Sequence, residues 1–381
     1  MTIAVDVERD ARFMRRALDL AEHGRGLTSP NPMVGAVVVS GEEIVGEGYH
    51  ERAGGPHAEV VALAAAGDRS RGATLYVTLE PCSYHGRTPP CAPAVIAAGI
   101  RRVVPALVDP NPRVNGRGLA ALRAAGVEVA DAILADHAER QNRAFVAAMR
   151  LGRPHVTLKT AMTLDGRIAD RRGESKWITG DQARAVAHRL RSESDAIVVG
   201  IGTVLRDDPA LTVRRERPWP REPYRVVLDT HARTPEDARL IAAGTPARAL
   251  VITGEDAPRA RVAALKAAGA TVVAVALGDG RVDPRAALAA LADLEIRAVL
   301  VEGGGAVHGA FLDAGLVDRV AIFVAPRLLG GGGSTPSIGG IGRPLASALR
   351  LQALDVARFG DDLLIEADVA TGGGDAALRA S

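Results

Sequence analysis

Hydrophobic positions along the first 150 residues change between helical and strand spacing. Helical spacing over residues 5–22 places Phe13, Ala17, Leu18 and Ala21 on one face of a predicted helix. Short apolar runs that are bounded by turn residues predict strands instead. We therefore predict an α/β domain of strand–helix units, with strands at 34–39, 44–49, 74–79, 103–107 and 127–129 and helices at 5–22, 57–66, 92–98 and 118–125.

A second α/β series follows residues 136–150, which we predict to form one connecting helix that ends at Gly152-Arg153-Pro154. We therefore assign residues 1–150 to a first domain, 151–370 to a second, and 371–381 to a disordered tail. Glycine-rich residues 330–333 and 339–340 predict a mobile loop. Strands are predicted at 155–161, 196–199, 225–228, 249–253, 271–276, 298–302, 319–325 and 363–367, with helices between several of them.

Composition narrows the classes of protein that this chain can belong to. A length of 381 residues favours two domains. The 47 basic residues are nearly balanced by 45 acidic ones, so the net charge does not indicate nucleic-acid binding. Charged residues near the N-terminus argue against a secretory signal, and no run of about 18 apolar residues predicts a membrane span. Two cysteines cannot build a disulfide framework. We expect a cytoplasmic protein.

His57, Cys82 and Cys91 offer zinc one imidazole and two thiolates, leaving a fourth position for water. Glu59 lies two residues from His57, so it can stay unligated and transfer protons during attack on an amine-bearing ring carbon. His-x-Glu followed by Pro-Cys and a second cysteine is the signature of zinc nucleobase deaminases. Eight residues separate the cysteines instead of the common two, so two buried thiols with a capping histidine are the alternative. His85 is a competing ligand that this three-ligand set does not require.

The loop at 82–91 and the turn Ser-Pro-Asn-Pro-Met-Val-Gly at 29–35 resemble the deaminase of the riboflavin pathway. By that resemblance Asn31, His50 and Arg87 contact the substrate. Each residue also has a simpler interpretation, as a turn residue, a surface histidine and a solvated charge respectively.

Further sequence motifs with candidate functional residues lie beyond Pro154, at 158–169, 173–180, 198–209, 211–214 and 301–309. The last string runs from a strand through a glycine turn into a predicted helix at 307–314, where backbone N–H groups can hold a pyrophosphate. Such a turn can equally serve close packing. Gly200-Ile201-Gly202 lacks the third glycine of a Rossmann motif.

Together these strings resemble the reductase half of the bifunctional riboflavin-biosynthesis family. The resemblance implies a cytidine-deaminase-like α/β/α N-terminal domain and a dihydrofolate-reductase-like α/β C-terminal domain, with one Zn²⁺ per chain and NADPH. It implies deamination of 2,5-diamino-6-ribosylamino-4(3H)-pyrimidinone 5′-phosphate. NADPH then reduces 5-amino-6-(5-phosphoribosylamino)uracil to the ribitylamino product, by hydride transfer to the sugar C1′.

The same resemblance assigns residues to the two ligands of the reductase. Expected NADPH contacts are Ala161, Trp177, Thr203, Asp207, Thr230, Gly304, Gly305, Ala306, Val307, His308, Gly309 and Ala310. Expected substrate contacts are Ser175, Arg191, Asp207, Leu211, Arg214 and Glu302, together with Lys159, one of only three lysines.

Several of these assignments have alternatives. Trp177 is expected beside the nicotinamide, although simple packing would also explain it. Asp207 is the candidate for proton handling, with helix capping or an arginine partner as alternatives. Asp229 would match an NAD ribose ligand in a Rossmann protein, whereas Arg233 could meet the 2′-phosphate of NADPH.

Two further hypotheses compete with a bifunctional enzyme. The first is a deaminase that acts on tRNA or another nucleobase, with a non-catalytic second domain; the near-neutral charge argues against it. The second is a non-catalytic pyrimidine-binding or scaffold protein. We expect a small-molecule phosphoribosyl pyrimidine as partner, no nucleic acid, no membrane, and a homo-oligomer whose size the sequence does not indicate.

Overall fold

The computed structural model describes residues 2–86, 88–242 and 249–370. The chain divides into two compact units between Arg153 and Pro154, close to the predicted boundary at residue 150. The predicted tail at 371–381 lies outside the described residues. None of the described helices is long and apolar enough to cross a membrane.

The first unit, up to Arg153, consists of helices and short strands in alternation. Single 3₁₀ turns follow the first two α-helices, at Glu22–Gly24 and Gly67–Ser70. Its elements are α1 (Thr2–Ala21), β1 (Gly35–Ser40), β2 (Glu43–Tyr49), α2 (Ala58–Ala66), β3 (Thr74–Val77), α3 (Cys91–Ala97), β4 (Arg102–Pro105), α4 (Arg117–Ala124), β5 (Glu128–Val129), α5 (Ala135–Gln141) and α6 (Arg143–Leu151).

Its five described strands form one sheet in the order β2-β1-β3-β4-β5. Strands β3, β4 and β5 are parallel, whereas β1 is antiparallel to both of its neighbours. Consecutive residues of β3 and nearly all of β1 are buried, so both faces of the sheet are covered. The apolar stripe of α1 that contains Phe13 and Ala17 is buried as predicted. This is the expected α/β/α arrangement.

The prediction of one connecting helix at 136–150 is wrong, because the helix is interrupted at Asn142, between α5 and α6. The buried Asn142 side chain pairs with the backbone of Met33. Its Oδ1 accepts the Met33 N–H at 2.7 Å, and its Nδ2 donates to the Met33 carbonyl at 2.8 Å. The break therefore places an amide where it fixes the turn that carries Asn31.

The second unit begins at Pro154 and is dominated by one large sheet. A 3₁₀ turn lies at Leu345–Ser347. Its elements are β6 (His155–Thr163), β7 (Arg167–Ala169), α7 (Asp181–Ser192), β8 (Ala196–Gly200), α8 (Ile201–Asp207), β9 (Tyr224–Leu228), α9 (Arg239–Ala242), β10 (Ala249–Gly254), α10 (Arg259–Ala267), β11 (Thr271–Val275), β12 (Leu277–Gly278), β13 (Arg281–Val282), α11 (Pro284–Asp293), β14 (Ala298–Gly303), α12 (Gly305–Asp313), β15 (Arg319–Ala325), β16 (Thr335–Pro336), β17 (Leu351–Phe359) and β18 (Asp362–Val369).

The order of the nine described strands in the large sheet is β11-β10-β9-β8-β14-β6-β15-β18-β17. The strands from β11 to β15 are parallel, and β18 and β17 are antiparallel additions. Strand β14 lies between β8 and β6, so the direction of winding changes there. In open α/β sheets, ligands bind outside the carboxyl ends of the strands at such a point.

Strand β17 was not predicted from the sequence. Its pairing with β18 shifts register between Gln352 and Asp355, which interrupts the alternation that identifies a strand. The short strands β7, β12, β13 and β16 were also missed. In the region predicted to be a mobile loop, β16 pairs with β7 and the Gly339 N–H donates to the Gly305 carbonyl at 2.8 Å.

A buried hydrogen-bonded network joins α1 to β3 and β4. Asp10, which is 5% exposed, accepts the Tyr76 hydroxyl at 2.6 Å and two Arg102 nitrogens at 3.0 and 2.7 Å. Burial opposes the charge of Asp10, but hydrogen bonds from Arg102 and Tyr76 outweigh it and lower the pKa of the carboxyl. The carboxylate is therefore the common acceptor of the buried Tyr76 hydroxyl and the half-buried Arg102 guanidinium.

We predict that Asp10→Ala lowers the free energy of unfolding of the first unit by about 3 kcal/mol, because it leaves the buried Tyr76 hydroxyl without its acceptor and the half-buried Arg102 guanidinium with Glu128 alone. Hydrogen–deuterium exchange of the β1 and β3 amides in the intact chain measures this loss. Asp19→Ala is the matched control, since Asp19 is exposed on the same helix. Equal amide protection in both variants would contradict the prediction.

Candidate functional site

The three predicted metal ligands come together at the starts of two helices. His57 occupies the position just before α2, Cys91 is the first residue of α3, and Cys82 lies in the segment after β3. His57 Nδ1 lies 3.1 Å from Cys91 Sγ and 3.6 Å from Cys82 Sγ, and all three atoms lie within 4.8 Å of one another. Tetrahedral zinc with ordinary Zn–N and Zn–S bonds requires separations of roughly 3.4–3.8 Å. The donor set therefore fits one zinc ion.

Hydrogen bonds around the cluster orient its ligands. The second ring nitrogen of His57, Nε2, lies 3.1 Å from the Thr88 hydroxyl, a partner of the kind that fixes a metal-binding tautomer. Hydrogen bonds from Cys91 and His57 lower the pKa of the Cys82 thiol, and a zinc ligand must be a thiolate. The exposed His85 lies outside the cluster, with Nδ1 3.3 Å from the Gly86 carbonyl oxygen.

Glu59 lies in the first turn of α2 and is 3% exposed. Burial raises the pKa of this carboxyl to about 7, although the neighbouring His57 opposes the rise. A carboxyl group that titrates near neutrality can both accept and donate a proton at working pH.

His50 is buried, not a surface histidine. Its Nδ1 lies 2.9 Å from the Pro56 carbonyl oxygen and its Nε2 lies 3.1 Å from Asn31 Nδ2. An Nδ1–H donor and an Nε2 acceptor satisfy both contacts, and burial lowers the pKa of the imidazole. The ring centroids of His50 and His57 are 5.4 Å apart. The structure thus brings Asn31 and His50 beside a metal ligand, whereas Arg87 lies outside the described residues.

Sequence reasoning missed Glu80, which is 3% exposed and lies two residues before Cys82. Its carboxylate oxygens accept four backbone N–H groups, at distances of 2.8 to 3.2 Å. A Cβ at Gly118 would lie 1.9 Å from the Pro81 carbonyl oxygen, so only glycine permits this approach. A charged residue at the end of a buried strand was the available signal. The four donors are Asp109, Gly116, Gly118 and Leu119.

Most predicted reductase residues lie at the carboxyl edge of the large sheet. Ala161 is near the end of β6, Thr203 follows β8, Thr230 follows β9 and Gly304 follows β14. Thr203 Oγ1 accepts the Gly304 N–H at 3.3 Å, which links the loops on either side of the β8–β14 junction. Thr230 Oγ1 accepts the Val282 N–H at 3.2 Å.

A buried charge cluster stands at this edge. Arg191 binds both carboxylate oxygens of Glu302, at 2.6 and 2.7 Å. Burial opposes the Glu302 charge, but Arg191 and Lys159 outweigh it and hold the pKa of Glu302 at about 2. Burial also lowers the pKa of Lys159, whose Nζ lies 5.6 Å from the centroid of the Phe323 ring. The cluster holds two cationic side chains against one carboxylate.

Asp207, the last residue of α8, lies close to the segment that contains Ser175. Ser175 Oγ is 3.5 Å from Asp207 Oδ1, and Lys176 Nζ donates to the Asp207 carbonyl at 3.3 Å. Trp177 is 59% exposed, with the Arg184 guanidinium carbon 4.5 Å from its ring centroid. Core packing therefore does not explain this tryptophan.

Two other predicted residues are buried. Leu211 is 3% exposed. His308 is 1% exposed, and its Nδ1 lies 2.9 Å from the Ser337 carbonyl oxygen, so its side chain faces the 334–340 segment.

The predicted cofactor residues at the start of α12 occupy different faces of that helix. A Cβ at Gly309 would lie 2.4 Å from backbone atoms of Gly339 and Gly340, so that face is closed by protein. Ala306 and Ala310 are exposed, and Gly305 is buried with Gly309 while Val307 is half-buried.

Comparisons with known proteins assign a family to both halves. Residues 7–107 match the cytidine and deoxycytidylate deaminase zinc-binding region, and residues 154–365 match the RibD C-terminal domain. The riboflavin biosynthesis protein RibD of Aquifex aeolicus is 44% identical over 359 residues, 94% of this chain and 98% of the relative. The chain belongs to the RibD family. RibD of Escherichia coli is 44% identical, covering 84% of this chain and 89% of the relative.

Solved structures of RibD proteins agree with this assignment. Acinetobacter baumannii RibD superposes with a TM-score of 0.87 at 37% identity, covering 96% of this chain and 100% of that one. A Thermotoga maritima protein, named as a diaminohydroxyphosphoribosylaminopyrimidine deaminase/5-amino-6-(5-phosphoribosylamino)uracil reductase, gives 0.84 at 37% identity with the same coverage. The predicted fold class is confirmed. So is the prediction of a bifunctional riboflavin-biosynthesis enzyme, with a deaminase and a reductase domain, and the tRNA alternative is not favoured.

We predict that Cys82→Ser reduces bound zinc from about one ion per chain to well below it, because one of three ligands is lost. Metal analysis by inductively coupled plasma mass spectrometry measures the content. His85→Ala is the control, since His85 lies outside the cluster, and it should retain its zinc. Equal zinc in wild type and Cys82→Ser, or loss in His85→Ala alone, would contradict the ligand assignment.

Proposed function

We propose that the first unit deaminates 2,5-diamino-6-ribosylamino-4(3H)-pyrimidinone 5′-phosphate and the second reduces 5-amino-6-(5-phosphoribosylamino)uracil with NADPH. The convergence of His57, Cys82 and Cys91 beside buried Glu59 carries this proposal. The two activities in the name of the Thermotoga maritima relative support the choice of substrates. A zinc site formed by both thiols requires reduced cysteines, which is consistent with a cytoplasmic setting.

In the deaminase site, bound zinc supplies Lewis-acid activation of water. Glu59 would take one proton from the attacking water and deliver it to the ring nitrogen, and would then move the second proton, from the hydroxyl formed on the ring carbon, to the departing amine. The pKa of about 7 suits a group that must do both. Asn31 holds the pyrimidine through its amide, and His50, whose ring nitrogens already pair with Pro56 and Asn31, holds that amide in place beside the substrate. The net change exchanges the ring amino group for oxygen and releases ammonia.

In the reductase site, bound NADPH supplies the hydride that reduces the sugar C1′. The Arg191–Glu302 pair and Lys159 form a rigid polar surface for the ribose chain. Arg214 binds the phosphate, since guanidinium and phosphate match in geometry. Asp207, beside Ser175, is our candidate for proton handling in this step.

One observation favours NADPH over NADH. Asp229 is fully buried, and its Oδ2 accepts both the N–H and the hydroxyl of Thr234 at 2.7 Å. Oδ2 is thus bound within its own loop and Oδ1 is buried, whereas the nearby Arg233 is exposed. An exposed guanidinium near the end of β9 suits a 2′-phosphate.

A single assay tests the proposed function. The purified chain is given the diaminopyrimidine phosphate and NADPH, and ammonia release and nicotinamide absorbance are followed together. We expect both signals. Silence in both channels would refute the proposal, and ammonia without loss of absorbance would refute its reductase half.

We predict that Glu59→Gln lowers ammonia release by at least a hundredfold, because glutamine cannot transfer protons. Reduction of pre-deaminated substrate by the same variant should persist. Glu51→Gln is the control, since Glu51 is exposed near the same site, and it should retain both activities. Deamination at the wild-type rate by Glu59→Gln would overturn the assignment.

We also propose that the chain forms a homo-oligomer through strand β17, the edge of the large sheet. Leu351, Leu354 and Val356 on this strand are 45%, 61% and 53% exposed. An exposed apolar edge with unpaired backbone groups is a template for pairing. A second copy offers the same edge, and a two-fold axis brings the two together.

We predict that the double substitution Leu354→Glu and Val356→Glu converts the oligomer to monomers, because it buries charge in the pairing edge. Sedimentation equilibrium measures the mass. Leu277→Glu is the control, since Leu277 is 36% exposed on the separate strand β12. A wild-type monomer, or an oligomer that survives the double substitution, would refute this interface.

A further inference from the structure

Helix α7 holds the segment that precedes and includes Arg214 through two side chains one turn apart. His188 Nδ1 accepts the backbone N–H of Arg214 at 3.2 Å. Arg191 donates through Nη1 to the carbonyl oxygen of Thr212 at 3.0 Å. Residues three apart lie on the same helical face. This face therefore fixes two alternate residues of one segment.

The face is itself rigidly anchored. Arg191 is bound in a fork to Glu302 of β14, and the two side chains are only 17% and 8% exposed. Breaking such a buried pair is costly, because either partner alone would be an uncompensated charge. The segment at 212–214 is thus tied through α7 to a central strand of the sheet.

His188 can accept at Nδ1 only when that nitrogen carries no proton. Burial lowers the pKa of His188 to about 4, and the charges of Arg191 and Arg214 act in the same direction. The imidazole is therefore neutral at physiological pH. It fixes the backbone of Arg214 without adding a charge.

Arg214 has a guanidinium that is available to a ligand. The residue is exposed, and among the described residues its side chain makes no ion pair with a carboxylate. Arg214, Lys159 and Arg191 give three cationic side chains here against two carboxylates, Glu302 and Glu222, whose Oε2 accepts the Val213 N–H at 2.9 Å. The position attracts an anionic group.

We propose that His188 is a positioning residue of the reductase site, which fixes the backbone of Arg214 so that its guanidinium meets the phosphate of the phosphoribosyl substrate. This inference rests on the proposed function. His188 does not itself touch the reacting atoms.

The test uses steady-state kinetics of the full chain with 5-amino-6-(5-phosphoribosylamino)uracil and NADPH. His188→Leu removes the acceptor at similar volume, and we expect the KM for the uracil to rise about threefold to tenfold. The KM for NADPH and the rate of ammonia release should stay within twofold. His188→Asn, whose Oδ1 can accept the same N–H, should restore most of the loss.

Two further variants separate positioning from a general structural role. In an Arg214→Ala background, His188→Leu should add no further rise in KM, because its effect acts through Arg214. Arg189→Leu is the control on the same helix: its side chain is 43% exposed and pairs with Glu193, and it should leave the KM unchanged.

The outcomes distinguish this inference from the proposed function. If the wild type does not reduce the uracil, the proposed function fails first. If the wild type is active but His188→Leu has an unchanged KM, the inference is overturned. Equal effects of His188→Leu with and without Arg214, or an equal rise in the KM for NADPH, would also overturn it.

Discussion

Compensation of buried carboxylates governs both predicted sites. A carboxylate removed from water is stable as an ion only when donors replace its lost hydration. Glu80 receives four backbone N–H groups beside Cys82, and Glu302 receives a guanidinium fork from Arg191. Each interaction gathers loops that are distant in sequence around one charge. The metal ligand Cys82 and the segment before Arg214 are placed by these two carboxylates.

The contrast with Glu59 shows how the same chemical group acquires a different role. Glu59 is as buried as Glu80, yet among the described residues no arginine binds both of its carboxylate oxygens, and burial raises its pKa to about 7. At Glu302 the cationic neighbours outweigh burial and lower the pKa to about 2. A carboxylate whose charge is fully compensated by donors stabilises the fold, whereas a buried carboxylate that lacks such compensation can exchange protons at neutral pH. Burial alone therefore does not decide function.

Sequence predicted the metal cluster because zinc demands particular atoms, and His57, Cys82 and Cys91 stand in short recognisable strings. The main strands were predictable for a similar reason, since buried parallel strands are continuous apolar runs. Asn142 and Glu80 were missed, because their roles depend on backbone groups that are distant along the chain. Strand β17 was missed because a register shift hides its alternation. The features that were missed depend on contacts that exist only in the folded chain.

The residues at the start of α12 that the family resemblance assigns to NADPH lie on different faces of the helix, so each must be considered by the face on which it lies. Seven consecutive residues there were expected to meet NADPH, but a helix presents only part of its circumference to any ligand. Gly309 lies against Gly339 and Gly340, and His308 faces Ser337. The remaining exposed positions are Ala306 and Ala310. A dinucleotide can therefore approach the exposed face and the Gly304 turn. The buried glycine and histidine also set the position of this helix through packing, and their contact with NADPH stays a prediction.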